Sequence, residues 1–150
     1  FGPLAFKVMQ RLFAMRKVKK EYVAVLDGDF EFRGIPRRGN IELPLSPDWL
    51  DRPRQRIDFE DGKEAVTEYE FIGVSDGRSR VMFFPKTGRT HQLRVHSASE
   101  MGLGMPIVGD RLYGKNGGND SSRLLLHAQK IEFTFPIGES QYSFESPCPD

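Results

Sequence analysis

The stretch Phe83-Phe84-Pro85-Lys86-Thr87-Gly88-Arg89-Thr90-His91-Gln92-Leu93-Arg94-Val95-His96 decides how the rest of the chain is read. It closes an apolar strand, turns through Gly88 and enters a helix. Thr87 or Thr90 is placed to cap that helix, because a hydroxyl there accepts a bond from an otherwise unpaired backbone N–H. At helical spacing His91, Arg94, Val95, Ala98 and Met101 share one face, and Gly102 is placed to end it. A face that mixes cation, imidazole and apolar surface suits a groove that holds a polyanion and admits one planar group. From Arg78 to Arg94 there are five Lys or Arg residues and no acid, in a chain whose net charge is only +1. That local concentration is the first functional hint.

Length and composition set the frame. A chain of 150 residues predicts one domain with an ordinary core. No apolar run is long enough to span a membrane. Phe1 stands where an initiator Met would, with no signal-like segment after it, so the chain reads as a piece of a longer protein. One cysteine, Cys148, cannot form an internal disulfide and fits a reducing cytoplasm. Charge is segregated. Lys7, Arg11, Arg16, Lys17, Lys19 and Lys20 come without an acid among them, whereas Asp58, Glu60, Asp61, Glu64, Glu68 and Glu70 enclose only Lys63. This is compatible with a basic groove and an acidic back, though charge alone equally describes solvated faces.

Outward from the central stretch, Glu64 to Val74 and Arg80 to Phe84 predict a hairpin joined through Ser75 to Ser79. Upstream, Leu4 to Phe13 has the spacing of an amphipathic helix, and Glu21 to Leu26 that of a strand buried on both faces. Asp27-Gly28-Asp29 is a turn. Residues 31–56 form an ordered, irregular excursion with a short strand at Ile41 to Leu43, in which Leu43, Leu45, Trp49 and Leu50 call for burial. Downstream, Gly102 to Pro106 breaks the helix and Tyr113 to Ser122 is a loop. Lys130 to Phe135 alternates as a half-buried strand, and Tyr142 to Glu145 is a last one. Many antiparallel strands with two or three helices define an α+β domain.

Several motifs tempt and fail. Gly109 to Lys115 imitates a phosphate-binding loop, but Asn116 stands where Ser or Thr must hold magnesium. His91, His96, His127 and Cys148 have no zinc-ligand spacing. There is no Gly-x-Ser-x-Gly elbow. Asp27 reads as a turn residue and Asp110 as an ion-pair partner bracing a loop. Tyr22, in an apolar strand beside cations, needs a partner for its hydroxyl; core packing is the default for such a residue.

Taken together, these stretches resemble the RluA-type pseudouridine synthases. Lys19-Lys20-Glu21-Tyr22-Val23-Ala24 resembles the family's Lys-x-Tyr-x-Ala strand, and Pro85 to His96 its most specific motif. Pro106 to Asp110 with Leu112-Tyr113-Gly114, and Arg123 to Ala128, are similar to the next two. The motifs fall in the family's order from about Phe6 to Pro149. One departure stands out: the segment with the family's catalytic aspartate, His-Arg-Leu-Asp followed by Thr-Ser-Gly, does not occur here.

The resemblance implies a mixed, mainly antiparallel sheet with flanking helices and a central cleft, and residues 1–150 as the C-terminal part of one catalytic domain. It implies isomerisation of uridine to pseudouridine in ribosomal or transfer RNA, without metal or cofactor, by a cytoplasmic protein expected to be a monomer. The target base must leave its stack, which requires a pocket and a cationic surface. By carry-over, Arg94 pairs with the catalytic aspartate and Tyr22 packs on the target base and takes part in proton transfer. Lys20, Arg89, Thr90, His91 and Gln92 line the RNA side, and Leu126 walls the pocket. Lacking the carboxylate, the chain alone is expected to be inactive. An RNA-binding module that kept the cleft without a nucleophile is the alternative, and a cytosolic scaffold the third reading.

Overall fold

The computed structural model describes residues 19–115, 123–134 and 141–145. The helix expected at 4–13 and Cys148 lie outside them. Among the described residues there are eight strands and one helix: β1 (Lys19–Leu26), β2 (Arg38–Glu42), β3 (Leu45–Pro47), β4 (Gln55–Ile57), β5 (Val66–Ser75), β6 (Arg78–Pro85), α1 (Gln92–Ala98), β7 (Leu126–Thr134) and β8 (Gln141–Glu145). Six of the strands form one sheet in the order β2-β5-β6-β1-β7-β8, and β3 pairs with β4 apart from it. Every one of these pairings is antiparallel, so the described residues form an α+β arrangement on an antiparallel sheet.

The expected hairpin is the sheet's organiser. β5 alternates, with Thr67, Tyr69 and Phe71 buried, and β6 answers with buried Ser79, Val81 and Phe83. The turn between them is Asp76-Gly77, both in left-handed backbone (φ 53° and 74°), as a two-residue turn matching strand twist requires. A register shift between Phe71 and Gly73 bends β5. Phe71 stacks on Phe30 at 4.1 Å and meets the edge of Tyr69 at 5.4 Å. The core runs on through Ala24, Leu26, Val81, Phe83, Leu93, Leu103, Met105 and Ile107. Val23 and Ala24 point to opposite faces of β1 and are both buried, as the apolar run predicts.

Three expectations need correction. Trp49 and Leu50 are 67% and 100% exposed rather than buried. They sit on the tip joining β3 to β4, a loop that Asp48, Asp51 and Arg54 close on itself by backbone bonds; Arg52 lies 4.5 Å over the Trp49 ring. Neither Thr87 nor Thr90 caps the helix. It begins at Gln92 with His91 as its N-cap and no side-chain cap bond, because the Thr87 hydroxyl is drawn to β5 by the Val66 N–H. Met101 lies beyond the helix end and is exposed, since Ser99 already has extended backbone. Gly102 serves close approach: a Cβ there would come within 2.1 Å of the His96 carbonyl oxygen.

Part of the acidic block is engaged in ion pairs at the surface, Glu68 with Lys86, Glu70 with Arg38, and the mostly buried Asp58 with Arg56. Such pairs add at most about 1 kcal/mol each. Among the described residues no helix is long and apolar enough to cross a membrane.

Candidate active site

Helix α1 packs against β4 and β5, and its entry sets the site. His91 stands there in left-handed backbone, φ 55° and ψ 19°. That conformation costs a side-chain-bearing residue about 1–2 kcal/mol, so the surroundings must hold it. They do so from two sides. The Val95 N–H donates to the His91 carbonyl at 2.9 Å. The His91 ring meets the edge of Tyr113, its Nδ1 lying 2.8 Å from the Tyr113 hydroxyl.

One turn on, Arg94 projects to the same side as His91. Its Nε and Nη2 donate to the two carboxylate oxygens of Asp110 at 3.0 and 2.6 Å. The Arg94 side chain keeps 19% of its surface exposed while that of Asp110 keeps none. Asp110 also accepts the N–H groups of Leu112 and Tyr113. Burial by itself would push the Asp110 carboxyl up, but the Arg94 fork and the two backbone donors hold it below the usual range. The bond to Asp110 raises Arg94 in turn. Burial, and then the Arg94 cation, lower His91 against the pull of Asp110. The guanidinium carbon stands 5.3 Å from the Tyr113 ring centre. From β4 and the residue before it, the Gln55 N–H donates to the Tyr113 hydroxyl at 2.8 Å and Arg54 Nε to the Leu112 carbonyl at 2.9 Å. The Pro85–His96 and Pro106–Gly114 motifs thus interlock side chain to side chain, and Asp110 is the ion-pair partner the sequence suggested, with Arg94 as the partner the sequence did not name.

Beneath this cluster runs a buried polar chain. The Thr87 hydroxyl and the Arg89 N–H both donate to Gln92 Oε1. Gln92 Nε2 donates to the Val66 carbonyl and to Thr67 Oγ1. The Thr67 hydroxyl then bonds His96 Nδ1 at 2.8 Å, and His96 Nε2 bonds the Leu43 carbonyl at 2.9 Å. Only the Nε2–H tautomer of a neutral His96 satisfies both ends. Gln92 is 4% exposed, so the expectation that it lines the RNA side is corrected. Its amide is consumed in holding the 87–89 loop to β5.

The remaining expected residues fall as follows. Arg89 is anchored by Nε to the Glu64 carbonyl at 2.7 Å, and Thr90 is exposed beside it. Both line a cavity of about 340 Å³ with Pro47, Gln55, Asp61 and Lys63. Lys20 reaches the same loop, its ammonium 2.9 Å from where a Cβ on Gly88 would stand. Tyr22 pairs with Phe83 on one side and Ala128 on the other, and Leu126 pairs with Ala24. In antiparallel register all of these share one face of the sheet. Tyr22 and Leu126 pack on the core cluster to which Leu93 of α1 belongs. Burial raises the Tyr22 hydroxyl, so it is a neutral phenol near neutral pH. Reading the sequence missed Tyr113 and Thr67 as members of this assembly. Tyr113 lay inside a quoted motif with no chemical role attached, and Thr67 gave no signal beyond its place in an alternating strand.

Comparison with known proteins gives the family. The family described as RNA pseudouridylate synthase matches residues 3–99. The chain is 41% identical over 146 residues to the dual-specificity RNA pseudouridine synthase RluA of Escherichia coli K12, covering 96% of this chain and 64% of that protein. It is 41% identical over 145 residues to the protein of the same name from Haemophilus ducreyi, again covering 64% of it. The chain therefore spans a little under two thirds of these curated relatives. Among solved structures, human RNA pseudouridylate synthase domain containing 1 superposes with a TM-score of 0.77 at 29% identity, over 98% of this chain and 61% of that one. Human RNA pseudouridylate synthase domain containing 4 shares the fold, with a TM-score of 0.73 at 23% identity. The chain belongs to the RNA pseudouridylate synthase family.

Proposed function

We propose that this chain is the C-terminal part of a catalytic domain that isomerises uridine to pseudouridine in structured RNA, acting as a cytoplasmic monomer on ribosomal or transfer RNA. The observation that supports the reading is an apolar wall beside the motif helix. Tyr22 and Leu126 from neighbouring strands and Leu93 from α1 join a single apolar cluster, and Arg94 follows Leu93 directly. A flipped base needs such an apolar wall, and an ionised carboxylate needs such an arginine. The reaction exchanges the N–C glycosidic bond for a C–C bond and moves a proton off the base carbon. It consumes no co-reactant.

In this reading the carboxylate nucleophile comes from outside these residues, since no Arg-Leu-Asp occurs among them. Arg94 holds and orients it. Asp110 takes the Nε–Nη2 edge of the guanidinium, which leaves Nη1 for a second carboxylate. Tyr22, neutral through burial, relays a proton, its hydroxyl releasing its own proton as it takes one rather than acting as a standing phenolate base. Lys20, Arg89 and Thr90 face the phosphates.

The test is pseudouridine formation by the complete protein on bulk ribosomal and transfer RNA, with Tyr22→Phe alongside. The substitution keeps shape and removes the hydroxyl. It should leave RNA affinity intact and cut turnover by roughly 10²–10⁴-fold, the usual range for lost general acid–base catalysis. Unchanged turnover would return Tyr22 to a packing role. RNA binding without any pseudouridine would favour the binding-module reading.

A further inference from the structure

We infer that Tyr113 is a positioning residue that locks His91 as a neutral Nε2–H donor, so that His91 meets an RNA phosphate oxygen as a hydrogen-bond donor and not as a cation. The phosphate part rests on the function proposed above; the lock does not. The argument places one proton. The Gln55 N–H donates to the Tyr113 hydroxyl at 2.8 Å, so the phenol oxygen is an acceptor on that side. Its own proton then has His91 Nδ1, 2.8 Å away, to go to. An imidazole whose Nδ1 accepts carries its proton on Nε2 when neutral.

The surroundings work against a second proton. Arg94 stands beside His91 on the helix, and burial of the ring acts in the same direction. Asp110, the nearby carboxylate, already carries the Arg94 fork and two backbone N–H groups. Protonating Nδ1 would set its hydrogen against that of Tyr113 and add a cation next to Arg94. The left-handed backbone at His91 belongs to the same device, since it accompanies the edge-on contact of the ring with Tyr113. A histidine in a basic stretch would ordinarily be counted with the cations. Here the geometry assigns it to the neutral donors.

The experiment has two arms on the complete protein. Histidine side-chain ¹⁵N NMR without RNA, at pH 6.5, should show His91 neutral with its proton on Nε2. Tyr113→Phe should release it to a mixture of tautomers, while the His96 signal, fixed by Thr67 and Leu43, stays in place and reports the fold. A wild-type ring protonated on Nδ1, or cationic at that pH, overturns the lock whatever the variant does. In the second arm, RNA affinity is measured against salt at pH 6.5. His91→Ala should weaken binding about threefold to tenfold, one ordinary hydrogen bond, with the salt slope unchanged. Arg89→Ala should reduce the slope by about 0.7–0.9, the value for one phosphate contact by a cation. An equal fall in slope for His91→Ala, or no loss of affinity, overturns the phosphate contact. Absence of pseudouridine formation, by contrast, strikes the proposed reaction and leaves the NMR result standing.

Discussion

In the reading proposed here Arg94 meets two demands, since its guanidinium must be rigid and must keep a donor for a second carboxylate. Asp110 resolves them by taking one edge of the fork from a fully buried position. Burying a carboxylate is repaid only when its partners are close and complete, and Asp110 has four donors. Removing it orphans the arginine and two backbone N–H groups together. Asp110→Ala should destabilise the protein by about 3 kcal/mol, at the low end for a broken buried pair because Arg94 is partly solvated. Pairing it with Arg94→Met should recover only part of the loss, as the Leu112 and Tyr113 N–H groups stay unpaired. Urea midpoints of the three proteins measure this. Full recovery in the double variant would mean that the backbone bonds contribute nothing. The Asp110 contribution is present above the ordinary carboxyl value of 3.8 and is lost as pH falls through the depressed native value.

At the scale of elements, the segment that carries Asp110 is held as a strand-like bridge. Ile107 pairs with Leu26, and Val108 exchanges backbone bonds with Val25 and Leu125. Gly109 makes this possible. Its φ is +85°, and a Cβ there would stand 1.9 Å from the Arg123 carbonyl oxygen. Gly77 offers a comparison, with φ +74° and nothing within 4 Å of its virtual Cβ. Gly77→Ala should cost only the left-handed penalty of about 1–2 kcal/mol. Gly109→Ala carries that penalty and a backbone clash besides, and should also loosen the Arg94–Asp110 pair. Comparable losses of stability for the two substitutions would show that residues 123–125 yield freely.

Across the whole molecule, the Gln92–Thr67–His96–Leu43 chain ties the motif loop, β5, the helix and the segment after β2 into one unit. It requires neutral His96, whose burial lowers its affinity for a proton despite the Leu43 carbonyl. The native pKa lies below the ordinary value of 6.5, so the unfolded chain binds the proton more readily. The stabilisation is therefore complete above pH 6.5 and is lost as pH falls toward the native value; lowered His91 adds in the same direction. The urea midpoint should rise between about pH 5 and pH 7, and His96→Ala should flatten much of that rise. A wild-type midpoint independent of pH over this range would contradict a neutral, proton-excluding His96.

The antiparallel strands, the β5–β6 hairpin, the helix after the turn and the family were all legible along the chain, because each rests on local periodicity or an ordered string of motifs. The sequence also marked Asp110 as an ion-pair partner, from its place between Gly109 and Arg111. Tertiary structure decided the rest. Which hydroxyl Gln92 takes, why Thr87 turns to β5 instead of capping the helix, and why Trp49 is left outside all depend on which strands approach which loops. The pairing of His91 with Tyr113 is the plainest case. A hydrogen bond forms over a few tenths of an ångström, whereas sequence spacing places residues 91 and 113 only to within an element. Hydrophobic periodicity is a property of a segment and can be read along the chain, but the partner of a polar atom is a property of the fold.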